Sequence, residues 1–179
     1  MNFFSLLLLG LLGITNAAIE TVDVNIQYYT GMWYQTYADK AVLATFERDA
    51  YCVYANYSIA NSKTINVYNY ERVGSPDGPV QDINGYAILT DEPGQLVVHF
   101  PHTKPSPYLV IKIGPVKDLQ YQYSIVSDPY MIGLYVLTRD INEYYELYND
   151  EVLEFLNETG YNKFYNKPLK VIHDGCSYD

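Results

Sequence analysis

The chain reads as an all-β fold of eight short antiparallel strands, followed by one amphipathic α-helix and a brief final strand. Two features carry that reading. Twenty-one tyrosines alternate, or nearly alternate, with valine and isoleucine, a pattern that suits a pleated, half-buried surface better than a helix. Clusters of Gly, Pro, Asn, Asp and Ser interrupt these runs at hairpin spacing, as turns require. Strands spaced in this way build a sandwich or an up-and-down barrel, and the period alone does not choose between them.

Ahead of the β region, residues 1–17 carry no charge, run through Leu-rich apolar sequence and end on small residues at Thr15 and Ala17. This predicts a secretory signal peptide cut after Ala17. The apolar run is shorter than the roughly 20 residues a membrane span needs, so no transmembrane anchor is expected. Residues 18–179 then make one domain of about 160 residues, long enough to bury a substantial core. A net charge of −10 argues against a nucleic-acid or anionic-lipid surface.

The candidate strands are residues 33–37, 51–60, 64–71, 84–90, 95–100, 107–113, 119–126 and 132–138. Between them stand turn sequences such as Asn61-Ser62-Lys63, Glu92-Pro93-Gly94, Gly114-Pro115 and Ser127-Asp128-Pro129. Over 141–159 the period changes. Tyr144, Tyr145, Tyr148, Val152, Phe155 and Leu156 form a helical stripe, and Gly160 stands where a C-terminal cap belongs. Such a helix has a face to bury on the outside of the sheet. A last strand is expected at 169–172, leading to Cys176.

Two cysteines in an exported chain, Cys52 and Cys176, predict one disulfide that ties the tail to the body. Sequons at Asn56 and Asn157 are glycan acceptors in a host that glycosylates. If Cys52 and Asn56 face outward, alternation turns Tyr51, Val53, Ala55, Tyr57 and Ile59 inward. The same rule puts Leu119, Tyr121, Tyr123 and Ile125 on one face. An interior with that many tyrosines suits a cavity with apolar walls and a few fixed polar groups.

Gly31-Met32-Trp33-Tyr34 resembles the opening motif of the lipocalins, and an ordered set of further pieces extends the resemblance over nearly all of the chain. These are Phe46-Glu47-Arg48, Cys52 with Ala55-Asn56-Tyr57-Ser58, Glu92-Pro93-Gly94-Gln95-Leu96, Pro107-Tyr108, residues 123–128 and residues 134–139. The likeness is nearest to the branch that holds apolipoprotein D and the bacterial outer-membrane lipocalin. It implies an eight-stranded antiparallel up-and-down β-barrel of the lipocalin (calycin) type, with the helix packed outside. It also implies that Trp33 closes the barrel bottom under Arg139, and that Tyr57, Asn69 and Tyr135 point into a pocket. Tyr135 stands where a Trp is usual in that branch. With Tyr121 and Tyr123 from the alternation, these five are the expected ligand-binding residues.

No nucleophile elbow, phosphate loop or metal-ligand spacing appears, and His99 and His102 straddle a strand end and Pro101. No catalytic residue, metal or cofactor is therefore expected. The resulting expectation is a secreted, extracellular carrier of a small hydrophobic ligand such as a fatty acid, lysolipid, retinoid or sterol, with membrane lipids one source of that ligand. The second reading is a secreted interaction or defence protein that uses the barrel surface, or an isomerase built on the same fold.

Overall fold

A computed structural model describes residues 19–178, and the expected signal peptide, residues 1–17, lies outside them. A helical turn, α1 (Ile26–Tyr29), leads into β1 (Gly31–Ala38). A short helix, α2 (Lys40–Thr45), then precedes three long strands, β2 (Ala50–Asn61), β3 (Thr64–Val73) and β4 (Val80–Leu89). β5 (Gln95–His99) and β6 (Ser106–Ile113) come next, then the small hairpin β7 (Val116–Lys117) and β8 (Gln120–Tyr121). β9 (Tyr123–Ser127) and β10 (Tyr135–Thr138) complete the wall. Two helices, α3 (Ile141–Leu147) and α4 (Asn149–Glu158), and the two-residue β11 (Leu169–Lys170) end the fold.

Every neighbouring pair in the order β1-β2-β3-β4-β5-β6-β9-β10 is antiparallel, and β10 returns to pair with β1. The result is a closed eight-stranded barrel, which removes the exposed sheet edges that a sandwich would leave. Its interior and its outer helix layer are separate apolar clusters. Trp33, Ala55, Tyr57, Val67, Val110 and Leu137 belong to the inner one. Tyr37, Ile125, Val136, Tyr144, Val152 and Leu156 belong to the outer one, beneath the helices.

The helix after the barrel is interrupted once. Tyr148, with φ −121°, separates α3 from α4, although Tyr148 N–H still donates to the Tyr144 carbonyl and Val152 N–H to that of Tyr148. Gly160 closes it with φ +96°. Tyr161 N–H donates to Leu156 O at 2.8 Å and Gly160 N–H to Asn157 O at 3.3 Å, the paired bonds of a left-handed C-terminal cap.

Three strand expectations are corrected. Residues 119–126 are not one strand, because Asp118 and Leu119 take φ of 51° and 61° and fold a two-residue turn between β7 and β8. Hairpins of this kind normally signal themselves with Asn-Gly or Asp-Gly, and here Leu119 occupies a left-handed position. The strand expected at 132–138 starts only at Tyr135, since Asp128 Oδ1 accepts from Tyr130 N–H and holds the preceding residues in a turn. The final strand stops at Lys170, and Ile172 forms only an isolated bridge to Tyr51.

The inward set on β2 is also partly corrected. Tyr51 pairs with Arg72 and Tyr54 with Tyr70, so three steps on β2 match two on β3. Cys52, with φ 57°, sits in this bulge. A bulge resets the alternation. Ala55 and Tyr57 face inward as expected, whereas Tyr51 shares the outer face with Tyr54 and Val53 joins a cluster with Ala38, Val42 and Val171. Cys52 is disulfide-bonded to Cys176.

Candidate functional site

The barrel has a closed end and a mouth, and the closed end is built around Trp33. Gly31 enters β1 with φ +95°, and a Cβ there would lie 2.9 Å from Gln120 Nε2 and 3.3 Å from Arg139 Nη1. A side chain would therefore crowd the guanidinium, which explains glycine two residues before the tryptophan. Trp33 is fully buried and its Nε1 donates to Tyr29 O at 2.7 Å. Arg139 stacks on the ring at 3.5 Å from its centre. It donates to the carbonyls of Met32, Tyr28 and Tyr121. Burial lowers its pKa to about 10, so it remains a cation at neutral pH.

Above this plug the lower lumen is filled by tyrosines. The Tyr29 ring lies 5.3 Å from Trp33 and stacks on Tyr57 at 6.0 Å. Its hydroxyl shares hydrogen bonds with Ser124 at 2.7 Å and Tyr108 at 2.8 Å. Tyr57 is 8% exposed and reaches Tyr108 at 3.5 Å. Burial raises the pKa of all three hydroxyls, so they stay neutral. They form a packed floor at the closed end.

Towards the mouth the lining changes. β3 has an unbroken register with β4, so Ile65, Val67, Asn69 and Glu71 share the inner face. Asn69 faces Ala55 and Ile83 across the neighbouring strands. Ile83, on that inner face, keeps 36% of its surface exposed, on the end of β4 that extends past its pairing with β5. Gln35, opposite the inward Leu137, is 4% exposed and donates Nε2 to Glu47 Oε2. Tyr135 contacts both the inner cluster and the mouth cluster of Ala38, Val42 and Val53. Asp39 anchors α2 there: one carboxylate oxygen accepts from Val42 N–H at 2.9 Å and the other from Leu134 N–H at 3.0 Å.

The five expected ligand residues are therefore not brought together. Asn69 and Tyr135 line the upper lumen, and Tyr57 lies in its floor. Tyr121 is at the closed end, where its hydroxyl accepts from Asn25 N–H at 3.1 Å and its ring meets Tyr28 at 5.9 Å. Tyr123 lies outside the wall, under the helices, with its hydroxyl donating to Glu151. The chain bends at Gln122 between β8 and β9, so Tyr121 and Tyr123 do not share the face that alternation assigns them. Glu47 and Glu71 were not anticipated, although the alternation Ile65, Val67, Asn69, Glu71 marks the second as inward.

The sequence of residues 24–170 matches the model of the lipocalin-like domain. The chain belongs to the lipocalin family. No characterised protein is matched by sequence alone. Among solved structures, lobster apocrustacyanin A1 is 17% identical, covering 84% of this lipocalin and 81% of that chain with a TM-score of 0.59. Japanin from Rhipicephalus appendiculatus, solved bound to cholesterol, is 17% identical over 85% and 98% of the two chains, TM-score 0.54. The amine-binding protein of Rhodnius prolixus, solved with tryptamine, is 16% identical over 91% of each, TM-score 0.56. At these identities the likeness is one of fold. Among the described residues of the lipocalin no helix is long and apolar enough to cross a membrane, and no group of three or more His, Cys, Asp or Glu could hold a metal ion.

Proposed function

We propose that this lipocalin is a secreted, extracellular carrier of a small, largely apolar ligand, held in the upper lumen between the tyrosine floor and α2. The observation that carries the reading is the contrast within one barrel. Below, Trp33, Tyr29 and Tyr57 pack against one another; above, the inner face of β3 carries Asn69, whose amide has no hydrogen-bond partner among the described residues, across from Ile83. Apolar walls with a few polar groups are the usual lining of a small-molecule site. Burying ten methylenes would contribute about 8 kcal/mol before association costs, but the filled floor favours a compact ligand over a long acyl chain.

The uncharged leader and the disulfide support export, and the motifs around Phe46 and residues 134–139 support the apolipoprotein D branch. Asn56 and Asn157 are both exposed, as glycan acceptors must be. Export, branch and glycans belong to the same proposal. Relatives of the fold solved with cholesterol and with tryptamine agree with a small-molecule role. Native mass spectrometry of the protein from its own source tests it: a co-purifying small molecule is expected, and a consistently empty barrel that also refuses added probes would overturn it in favour of a surface-acting protein.

A further inference from the structure

The upper lumen ends in two carboxyl groups with no counter-charge. Glu71 continues the inner face of β3 and is only 7% exposed, yet its carboxylate has no hydrogen-bond or ion-pair partner among the described residues. The ion pairs Lys63–Asp91, Lys112–Glu151 and Lys117–Glu143 all lie elsewhere. Glu47 comes from the segment between α2 and β2, and its partner is the neutral amide of Gln35. Burial, then the nearby Glu71 and Asp39, push Glu47 up to about 8 despite the Gln35 bond, and burial pushes Glu71 up to about 7. Burying like charges without a cation costs stability.

We infer that Glu71 and Glu47 recognise the ammonium group of a small amphiphilic amine, whose apolar body rests on Tyr135, Val67 and Ile83. A cation entering here supplies the charge that folding left out, and the aromatic ring of Tyr135 favours it further. A bare metal ion fits poorly: calcium wants six to eight oxygens, and among the described residues no group of three or more His, Cys, Asp or Glu could hold one. The packed floor limits the body to a ring or a short chain. This deepens the carrier reading and rests on it.

Each acid attracts the amine only when ionised, so affinity rises with pH from 6 to 8. The other titratable groups around them act in one direction. Asp39 and Asp128 add negative charge, and Tyr135 and Tyr57 stay neutral because burial raises them.

Isothermal titration of the purified secreted protein at pH 8 with 2-phenylethylamine, 2-phenylethanol and 3-phenylpropanoate tests this directly. The amine should bind at least tenfold more tightly than the alcohol, and the acid more weakly than either. Glu71→Gln should bring amine and alcohol within threefold of each other by weakening the amine. Glu47→Gln should do the same in part, and serves as the second variant if circular dichroism finds the first misfolded. Equal binding of amine and alcohol, or a preference that survives both substitutions, overturns the cation site and leaves the carrier reading standing. Failure of all three ligands and of a fluorescent fatty-acid probe overturns both.

Discussion

The guanidinium carbon of Arg139 lies 3.5 Å above the Trp33 ring, and the same side chain satisfies carbonyls from α1, β1 and β8. One cation thus caps the aromatic plug and ties three chain segments across the closed end. Lysine has neither the planar face nor the five donors needed for this. Arg139→Lys should therefore lower stability by about 1–3 kcal/mol through carbonyls left unpaired. Trp33→Ala should cost about 3–5 kcal/mol. Urea unfolding followed by circular dichroism measures both, and a Trp33→Ala variant as stable as the parent would remove the plug from the fold's energetics.

Tyr57 joins the same packed region, which separates its role from that of a mouth residue. Its ring stacks on Tyr29 at 6.0 Å, while its hydroxyl contact with Tyr108, at 3.5 Å, is long. Tyr57→Phe should accordingly cost less than about 1 kcal/mol. Tyr57→Ala should cost about 3 kcal/mol and open a void beneath the upper lumen. Thermal melts of both variants beside the parent measure the two costs.

The Cys52–Cys176 bridge spans 124 residues and holds the tail beside β2. By the chain-entropy account, so long a loop contributes about 4–5 kcal/mol. The paired Cys52→Ser, Cys176→Ser variant should lose several kcal/mol in denaturant unfolding, with the fold of the barrel retained. A variant whose midpoint does not move would mean that the reduced chain is already constrained by Ile172 against Tyr51.

How far residues alone reveal such a barrel depends on whether the alternation runs unbroken. On β3 it does, and Ile65 to Glu71 can be assigned to the lumen from the sequence without help. On β2 the bulge at Cys52 resets the parity, so Ala55 and Tyr57 were legible and Tyr51 was not. The turn at Asp118 and Leu119 hid a hairpin because Leu119 is not a residue that advertises a left-handed position. The bend at Gln122 that follows it then leaves Tyr121 at the closed end and Tyr123 outside the wall. Trp33 and Arg139 were legible through family resemblance and not through spacing. Glu47 was unreadable for another reason: it sits outside any strand, so no period assigns its face. Only closure of the barrel brings it to Gln35.

The buried acids make stability depend on pH in a direction opposite to that of an ordinary paired carboxylate. A carboxyl whose folded pKa lies above its unfolded value holds a proton in the folded chain that the unfolded chain has already released. Between the unfolded value, near 4.3, and the folded values of about 7 for Glu71 and about 8 for Glu47, the folded state binds more protons, so stability falls as pH rises. The contribution is whole below about pH 4 and is lost by the time pH passes 8. Glu71→Gln removes one such group while keeping its size. Relative to the parent, this variant should gain on the order of 2 kcal/mol between pH 5 and pH 8, since a tenfold change in a proton-binding constant corresponds to about 1.4 kcal/mol. Melting temperatures of both proteins across that range measure the difference. A constant gap at all pH values would mean that Glu71 titrates normally and is open to water. A gap that grows with pH and then closes when 2-phenylethylamine is added would join the electrostatic cost of the buried acids to the ligand that relieves it.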